Sequence, residues 1–199
     1  MQKLLIATNN QGKVREFQEL LRGLPYELMT PNELGIKLDV EESGKTYQEN
    51  ARIKAVAFAK ASGLLTLADD SGLEVDALNG EPGLKSSRYA GEGASDKQRV
   101  EFLLSKLKNV KEMQRSARFR CVIALSSADG QIVFCEGTCE GIITSSPRGG
   151  EGFGYDPIFY FLELKQTMAE LPAATKNQIS HRARAAAKAS LLLQEWAPR

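Results

Sequence analysis

The sequence lacks the features that mark secreted, membrane-spanning and polyanion-coating proteins. Its 26 basic residues nearly balance 25 acidic ones, so no global field steers the chain onto nucleic acid or an anionic membrane. The first ten residues carry an apolar run of only four, too short for a signal peptide or a membrane span. We therefore expect neither a nucleic-acid polymer nor a membrane as a partner, and any anion site must be local.

Cysteine is scarce as well. The three cysteines, Cys121, Cys135 and Cys139, are odd in number and form no Cys-x-x-Cys pair of the metal-binding type. We expect reduced thiols packed in strands, and hence a cytoplasmic protein. The 199 residues, 42% hydrophobic and 26% charged, are enough to form a globular core without disulfide bonds.

Hydrophobic periodicity predicts an α/β fold with a mixed sheet, because strands and helices alternate early in the chain and strands cluster later. No linker is visible, so we expect one domain over residues 1–199. Thr46 and Glu49 fit a capping box at a helix start, Ser180 is the expected cap of the last helix, and Asp129-Gly130 predicts a hairpin. Strands are predicted at 3–8, 26–31, 64–68, 117–144 (two or three) and 158–161, and helices at 14–24, 46–58, 95–108 and 180–196.

The segment "LLIATNNQGK", residues 4–13, ends a buried strand in small polar side chains. The N–H groups at the start of the following helix lack internal partners and suit a phosphate. Gly12 lets the backbone approach a ligand closely, and Lys13 adds a full positive charge. Residues 8–13 are therefore a candidate phosphate cradle, although Val14 excludes a Walker A loop. The alternative is an Asn-rich turn that caps the helix.

Two acidic segments could supply metal ligands or a general base. In "ADDSG", Asp69 and Asp70 end a predicted strand, and adjacent strand residues point to opposite faces, so one acid could face a site while the other braces a turn. The alternative is a plain Asp-Ser-Gly turn. In "EESGKTYQENARIKA", Glu41 and Glu42 precede a helix that carries Lys54 on the same face as Asn50. The alternative for Glu41, Glu42 and Lys54 is a solvated surface.

Two later segments could bind a flat, acceptor-rich ligand. In "GGEGFGYDP", glycines flank Phe153, which could stack on a base while Asp156 bonds to its edge. A strained turn before a strand is the alternative. In "KNQISHRAR", His181 and Arg182 fall in the first turn of a helix, where the helix dipole disfavours positive charge unless a ligand supplies acceptors. A structural histidine is the alternative there.

Six segments together resemble the inosine/xanthosine triphosphate pyrophosphatases, a family that removes non-standard purine nucleotides. They are "TNNQGK", "EESGKTYQENARIKA", "ADDSGLEVDALNGEPG", "SSRYAG", "GFGYDPIF" and "KNQISHRARA", in this order from residue 8 to 185. One departure is Lys85, where an aromatic residue is more usual. The resemblance implies an elongated mixed sheet with flanking helices, two lobes around a central cleft, and a homodimer. It also implies Mg²⁺-dependent hydrolysis of ITP, dITP and XTP, small-molecule nucleotides, to the monophosphate and pyrophosphate.

The resemblance also implies roles for individual residues. Asp70 would bind the metal and act as general base, and Glu41 would be a further metal ligand, with Glu42 as the alternative. The triphosphate would lie against Thr8, Asn9, Asn10, Gln11, Gly12, Lys13 and Lys54. Ser71 would contact substrate, and the base would lie against Phe153, Gly154, Tyr155, Asp156, Lys176, His181 and Arg182.

Two rival functions stay open on the sequence alone. One is a related nucleotide pyrophosphatase with another base preference, and the other is a nucleotide-binding regulator without turnover. The presence of both Glu41 and Asp70 favours an enzyme, because phosphate binding alone needs no acid to activate water.

Overall fold

The structure, a computed structural model, describes residues 1–196 as a mixed α/β fold. Within this range the strands are β1 (Gln2–Ile6), β2 (Tyr26–Met29), β3 (Leu65–Val75), β4 (Ser116–Ser126), β5 (Ile132–Ile143), β6 (Phe159–Phe161) and β7 (Gln166–Thr167). The α-helices are α1 (Gln11–Leu20), α2 (Tyr47–Ser62), α3 (Asp96–Lys106), α4 (Ala173–Ile179) and α5 (His181–Trp196), and short 3-10 helices lie between these elements.

The strands form one seven-stranded sheet in the order β2-β1-β3-β4-β5-β6-β7. Strand β1 runs parallel to both β2 and β3, with Leu4 opposite Leu28 on one side and Leu65 on the other. Strand β6 is antiparallel to β5 and to β7. The predicted α/β class with a mixed sheet and flanking helices is therefore confirmed. The predicted cleft and the single domain stay predictions.

The described chain divides into two compact units, of which the first comprises residues 1–70, 121–137 and 181–196. Its core joins apolar side chains of β1, α1, β3 and α5, including Ile6, Phe17, Leu67 and Leu193. Leu4, Leu5 and Ile6 of β1 are all buried, so both faces of the sheet are covered here, which accounts for the apolar run. Tyr26 in β2 donates its hydroxyl to the carbonyl of Leu193, 2.9 Å away, which fixes α5 against this core.

The second unit comprises residues 71–120 and 138–180. Its core is built from the later half of β3, from α3 and from aromatic side chains of β4 and β6. Phe119 and Phe159 pack with ring centroids 4.7 Å apart, and Phe159 meets Phe161 edge-on at 5.3 Å. Leu103 of α3 is fully buried in the same cluster. Such aromatic pairs stabilise a core beyond the area that they bury.

The helix signals in the sequence are confirmed, with one difference in detail. Thr46 caps α2 by accepting the N–H of Glu49 at 3.1 Å. The side chain of Glu49 turns back to the N–H of Lys45 at 2.5 Å, one residue before the position that a capping box predicts. Helix α2 ends at Gly63, whose φ of 70° is the left-handed conformation that glycine tolerates best. Helix α5 begins directly after Ser180, where the cap was predicted.

The predicted turn at "ADDSG" is wrong. Strand β3 continues without interruption through Asp69, Asp70, Ser71 and Gly72 to Val75. The local preference of Asp-Ser-Gly for a turn loses to cations from distant parts of the chain, because Lys13 and Arg182 pair with Asp69 and Lys54 lies near Asp70. No sequence pattern predicts the short elements β7 and α4.

None of the helices described in residues 1–196 is both long enough and apolar enough to cross a membrane.

We predict that Gly137→Ala destabilises the first unit. A Cβ at this position in β5 would lie 2.1 Å from the carbonyl oxygen of His181 and 2.5 Å from the backbone nitrogen of Ala185. Because both atoms belong to a helix backbone, they cannot move aside cheaply, and overpacking of this kind costs at least about 2 kcal/mol of unfolding free energy. Urea denaturation measures the loss.

Gly150→Ala is the matched control for Gly137→Ala. A Cβ at Gly150 meets no heavy atom within 4 Å, so the unfolding free energy should change by less than about 0.5 kcal/mol. Equal denaturation midpoints for the two variants would contradict the close approach of β5 to α5.

Candidate active site

The turn between β1 and α1 is organised by Asn10. Its Oδ1 accepts the N–H groups of Gly12 at 2.9 Å and of Lys13 at 3.1 Å, so Asn10 is the N-cap of α1. The hydroxyl oxygen of Thr8 accepts the N–H of Asn10 at 3.2 Å. The helix-cap interpretation of this segment is therefore confirmed for Asn10. Asn9 and Gln11 are exposed beside it, and Gly12 and Lys13 are half-buried.

Asp69 is the centre of a buried charge network in the first unit. Its Oδ2 lies 3.0 Å from Nζ of Lys13 and 3.1 Å from a guanidinium nitrogen of Arg182, and its side chain is 1% exposed. Arg182 also meets Glu16 at 2.6 Å and lies over the ring of Phe17. Burial alone would raise the pKa of Asp69, but the two cations hold it well below its usual range.

Asp70 points the other way and meets helix α2. Its Oδ2 accepts from Nδ2 of Asn50 at 3.0 Å, and its Oδ1 lies 3.8 Å from Nζ of Lys54. Lys54 also pairs with Glu42 at 2.5 Å, whereas Glu41 is exposed. Burial raises the pKa of Asp70, and the negative charge of Glu42 adds to that rise while Lys54 opposes it.

Lys54 keeps its charge in this buried setting. Desolvation lowers its pKa, but the carboxylates of Asp70, Asp69 and Glu42 more than reverse this effect, and the pKa ends above its usual value. Two carboxylates and one cation leave the cluster of Lys54, Asp70 and Glu42 with a net negative charge, which favours a further cation rather than an anion.

The oxygen atoms around Lys54 are of the kind that bind a hard divalent cation. Asp70 and Glu42 supply carboxylate oxygens, and Mg²⁺ is usually held by one or two carboxylates together with substrate phosphates and water. In residues 1–196 no group of three or more His, Cys, Asp or Glu side chains is arranged as a metal cage.

The second unit carries a separate polar group built around Asp156. Its Oδ2 accepts from Nζ of Lys176 at 2.6 Å and from the N–H of Phe153 at 2.9 Å. Lys176 in turn lies 5.1 Å from the centre of the Phe153 ring. A Cβ at Gly152 would lie 2.1 Å from Oδ2 of Asp156, so this loop needs glycine for space as well as for its φ of 77°.

The remaining predicted residues divide between the two units. His181 and Arg182 begin α5 in the first unit, and both are buried. Ser71 follows Asp70 in β3, half-buried, and Tyr155 is buried in the core of the second unit. Their contacts with a substrate stay predictions.

Sequence reasoning missed two acids. Glu16 pairs with Arg182 and lies three residues after Lys13. Residues at this spacing share one face of a helix, so the sequence could have indicated that Glu16 lies beside Lys13. Asp96, the second, accepts the N–H of Gly154 at 2.7 Å across 58 positions of the chain, and no local pattern announces that contact.

Comparison with solved structures first defines the class of fold. The chain matches the Ham1 protein of Staphylococcus aureus with a TM-score of 0.87 and 45% identity, covering 98% of this chain and 100% of that one. It matches a HAM1 protein from Coxiella burnetii with a TM-score of 0.88 and 46% identity, again over 98% and 100%. The α/β fold described above is thus the fold of these proteins.

The family follows from sequence. The model of the Ham1 family matches residues 4–191, and the chain therefore belongs to this family. A relative from Desulforamulus reducens, named dITP/XTP pyrophosphatase, is 51% identical over 96% of this chain and 95% of its own length. A Bacillus subtilis relative of the same name is 48% identical over 98% of each chain. The resemblance inferred from the six motifs is confirmed.

We predict that Asp69→Asn lowers the unfolding free energy by about 3 kcal/mol at pH 7, because the buried Arg182 and the half-buried Lys13 lose their shared anion. The pKa of Asp69 is lower in the folded state, so its contribution is present above the unfolded pKa of about 4 and is lost as the pH falls towards the folded pKa. The gap between wild type and variant should therefore narrow from pH 7 to pH 3. Urea denaturation without divalent metal measures it.

Glu101→Gln is the control for this titration. Glu101 pairs with Lys97 at 3.8 Å on an exposed face of α3, and such pairs contribute little. A stability gap for Asp69→Asn that stays constant over the same pH range would show that the buried carboxylate carries no such linkage.

Proposed function

We propose that the chain hydrolyses the non-standard purine nucleoside triphosphates ITP, dITP and XTP to the monophosphate and pyrophosphate. The observation that carries the proposal is Asp70, a buried carboxylate of raised pKa beside the cation of Lys54. A carboxylate in such surroundings is a better proton acceptor than an exposed one. Relatives that match nearly the whole chain are named dITP/XTP pyrophosphatase, which supports the same activity.

In this mechanism the first unit handles the phosphates. Water adds and the bond between the α and β phosphates breaks, so that pyrophosphate leaves. Lys13 and Lys54 neutralise the charge that develops on the phosphates, and the N-terminus of α1 offers further positive potential. Asp70 orients the attacking water and takes its proton. Asn50 holds the Asp70 carboxylate by a 3.0 Å hydrogen bond, so that its second oxygen keeps a fixed direction.

Mg²⁺ is the proposed cofactor. When bound, it supplies Lewis-acid neutralisation of the phosphate oxygens. Asp70 would hold it with one acid of the Glu41–Glu42 pair, and Glu42 is the acid whose carboxylate shares Lys54 with Asp70. The ligand role of Glu41 stays a prediction.

The second unit is proposed to bind the base. Phe153 offers a ring face for stacking, and Lys176 offers only donors, which suit the 6-oxo group of hypoxanthine or xanthine. Adenine presents a 6-amino donor at this position, and two facing donors leave a buried group unpaired. We keep His181 and Arg182 as proposed contacts of the base from the start of α5.

We further propose a cytoplasmic homodimer. Cys121, Cys135 and Cys139 are all free and buried, which is consistent with a reducing compartment. The dimer rests on the family resemblance alone, and sedimentation of the purified protein tests it.

A panel of nucleoside triphosphates, with and without Mg²⁺, tests the activity. We expect pyrophosphate from ITP, dITP and XTP only when Mg²⁺ is present, and turnover of ATP lower by at least about tenfold because of the unpaired donor. Tight binding of ITP without turnover would instead identify a regulator. A preference for ATP or for pyrimidines would identify a different nucleotide pyrophosphatase. Orthophosphate as sole product would refute cleavage between the α and β phosphates.

We predict that Asp70→Asn lowers kcat for ITP at least ~10²-fold, because the amide keeps the shape of the side chain but cannot accept the proton of water. Steady-state release of pyrophosphate at saturating ITP measures this. Asp129→Asn, on the exposed turn between β4 and β5, is the control and should turn over like wild type. Near-normal kcat in Asp70→Asn rules out the role of general base.

A further inference from the structure

The aromatic loop, residues 152–156, contains two glycines in the left-handed conformation. Gly152 has a φ of 77° and Gly154 a φ of 65°. Glycine gives a chain more conformational freedom than any other residue, so a loop of this kind stays in one conformation only if other groups hold it. The Asp156–Lys176 pair holds the end of the loop at Phe153 and Asp156. The N–H of Gly154 bonds to a different side chain.

Asp96 supplies that second attachment. Its Oδ2 accepts the N–H of Gly154 at 2.7 Å, and a carboxylate makes this bond stronger than a neutral acceptor would. Asp96 is the first residue of α3, where an acid is often present only to satisfy the helix terminus. Here Ser95 and Gln98 already form a complete capping box. The carboxylate of Asp96 is therefore available for the loop.

Arg99 fixes the direction of Asp96. Its guanidinium pairs with Oδ1 of Asp96, one helical turn away, and donates to the carbonyls of Ser87 at 2.9 Å and Ala94 at 2.5 Å. The side chain of Arg99 is 19% exposed. Oδ1 of Asp96 is thus held by the guanidinium of Arg99, and Oδ2 accepts the N–H of Gly154.

Tyr155, the residue after Gly154, attaches the loop at a further point. Its hydroxyl donates to the carbonyl of Ser86 at 2.9 Å, and burial raises its pKa, so the donor stays protonated. The hydroxyl of Ser86 accepts the N–H of Leu73 in β3 at 2.9 Å. The segment "SSRYAG", which the proposed function left without a role, therefore forms the support against which the loop is held.

We propose that Asp96 and Arg99 are positioning residues for base selection, which they exert by holding the peptide of Gly154 and, through it, the ring of Phe153. This inference rests on the proposed function, in which the aromatic loop contacts the base. Neither residue touches the phosphates in that proposal. Their loss should therefore weaken base binding and discrimination and leave the chemical step intact.

Two measurements on Asp96→Ala test the inference. Hydrogen–deuterium exchange of the Gly154 amide should rise at least about tenfold, because the amide loses its charged acceptor. In steady-state kinetics KM for ITP should rise about tenfold while kcat stays within about twofold. A merely structural role predicts a fall in melting temperature without this split.

Companion variants keep the test decisive. Asp96→Asn retains an acceptor oxygen and should restore most of the exchange protection and of KM. Lys97→Ala, one position along α3 with a side chain 84% exposed, should match wild type in both. If Asp96→Ala does not fold, Arg99→Gln takes its place, since it keeps the carboxylate but removes the cation that orients it, and should raise exchange and KM to a smaller extent.

The outcomes separate this inference from the proposed function. Unchanged Gly154 exchange, or a fall in kcat at constant KM, overturns the positioning role. If wild type releases no pyrophosphate from any oxopurine triphosphate, the proposed function fails. In that case the inferred role in base selection fails with it, whatever the exchange data say about the attachment.

Discussion

The first unit depends on one buried carboxylate. Asp69 joins β3 to α1 through Lys13 and to α5 through Arg182, so three elements from distant parts of the sequence meet at one oxygen. A charge buried to this degree is tolerated only with partners of opposite sign at hydrogen-bond distance. Lys13 and Arg182 both meet Oδ2 and offset the charge of Asp69, whereas its buried Oδ1 accepts no hydrogen bond within residues 1–196. With its charge offset, Asp69 can stay inside the sheet, and β3 continues through it without a turn.

The continuous strand has a chemical consequence. Alternation along β3 turns Asp70 away from the Asp69 network and towards α2, where its partners are an amide and a single cation shared with Glu42. Neighbouring acids of one type thus acquire pKa values shifted in opposite directions, down for Asp69 and up for Asp70. Environments that separate two carboxylates in this way are how proteins assign a structural role to one and a proton-accepting role to the other.

The sequence predicts the local features of this fold well and the long-range ones poorly. Strand β1, the caps of α1 and α2 and the start of α5 follow from patterns within a few residues, and the structure confirms them. The opposite orientation of Asp69 and Asp70 follows from strand geometry alone. No turn forms at "ADDSG" because Asp69 pairs with Arg182, which lies 113 positions further along the chain. The hydrogen bond between Gly154 and Asp96 likewise joins residues 58 positions apart. No local propensity reports such partners, which is why tertiary ion pairs overrule turn preference here.

The second unit handles charge in a different manner. Asp156 and Lys176 have side chains only 5% and 7% exposed, so neither ion could remain there alone. Paired, they form a neutral group that also accepts the N–H of Phe153 and thereby fixes the loop. In the proposed function, a base beside this group would meet no net charge, only the polarity of the lysine donors and the face of an aromatic ring. Discrimination on such a surface follows from whether the base offers acceptors, which is the property in which 6-oxopurines differ from adenine.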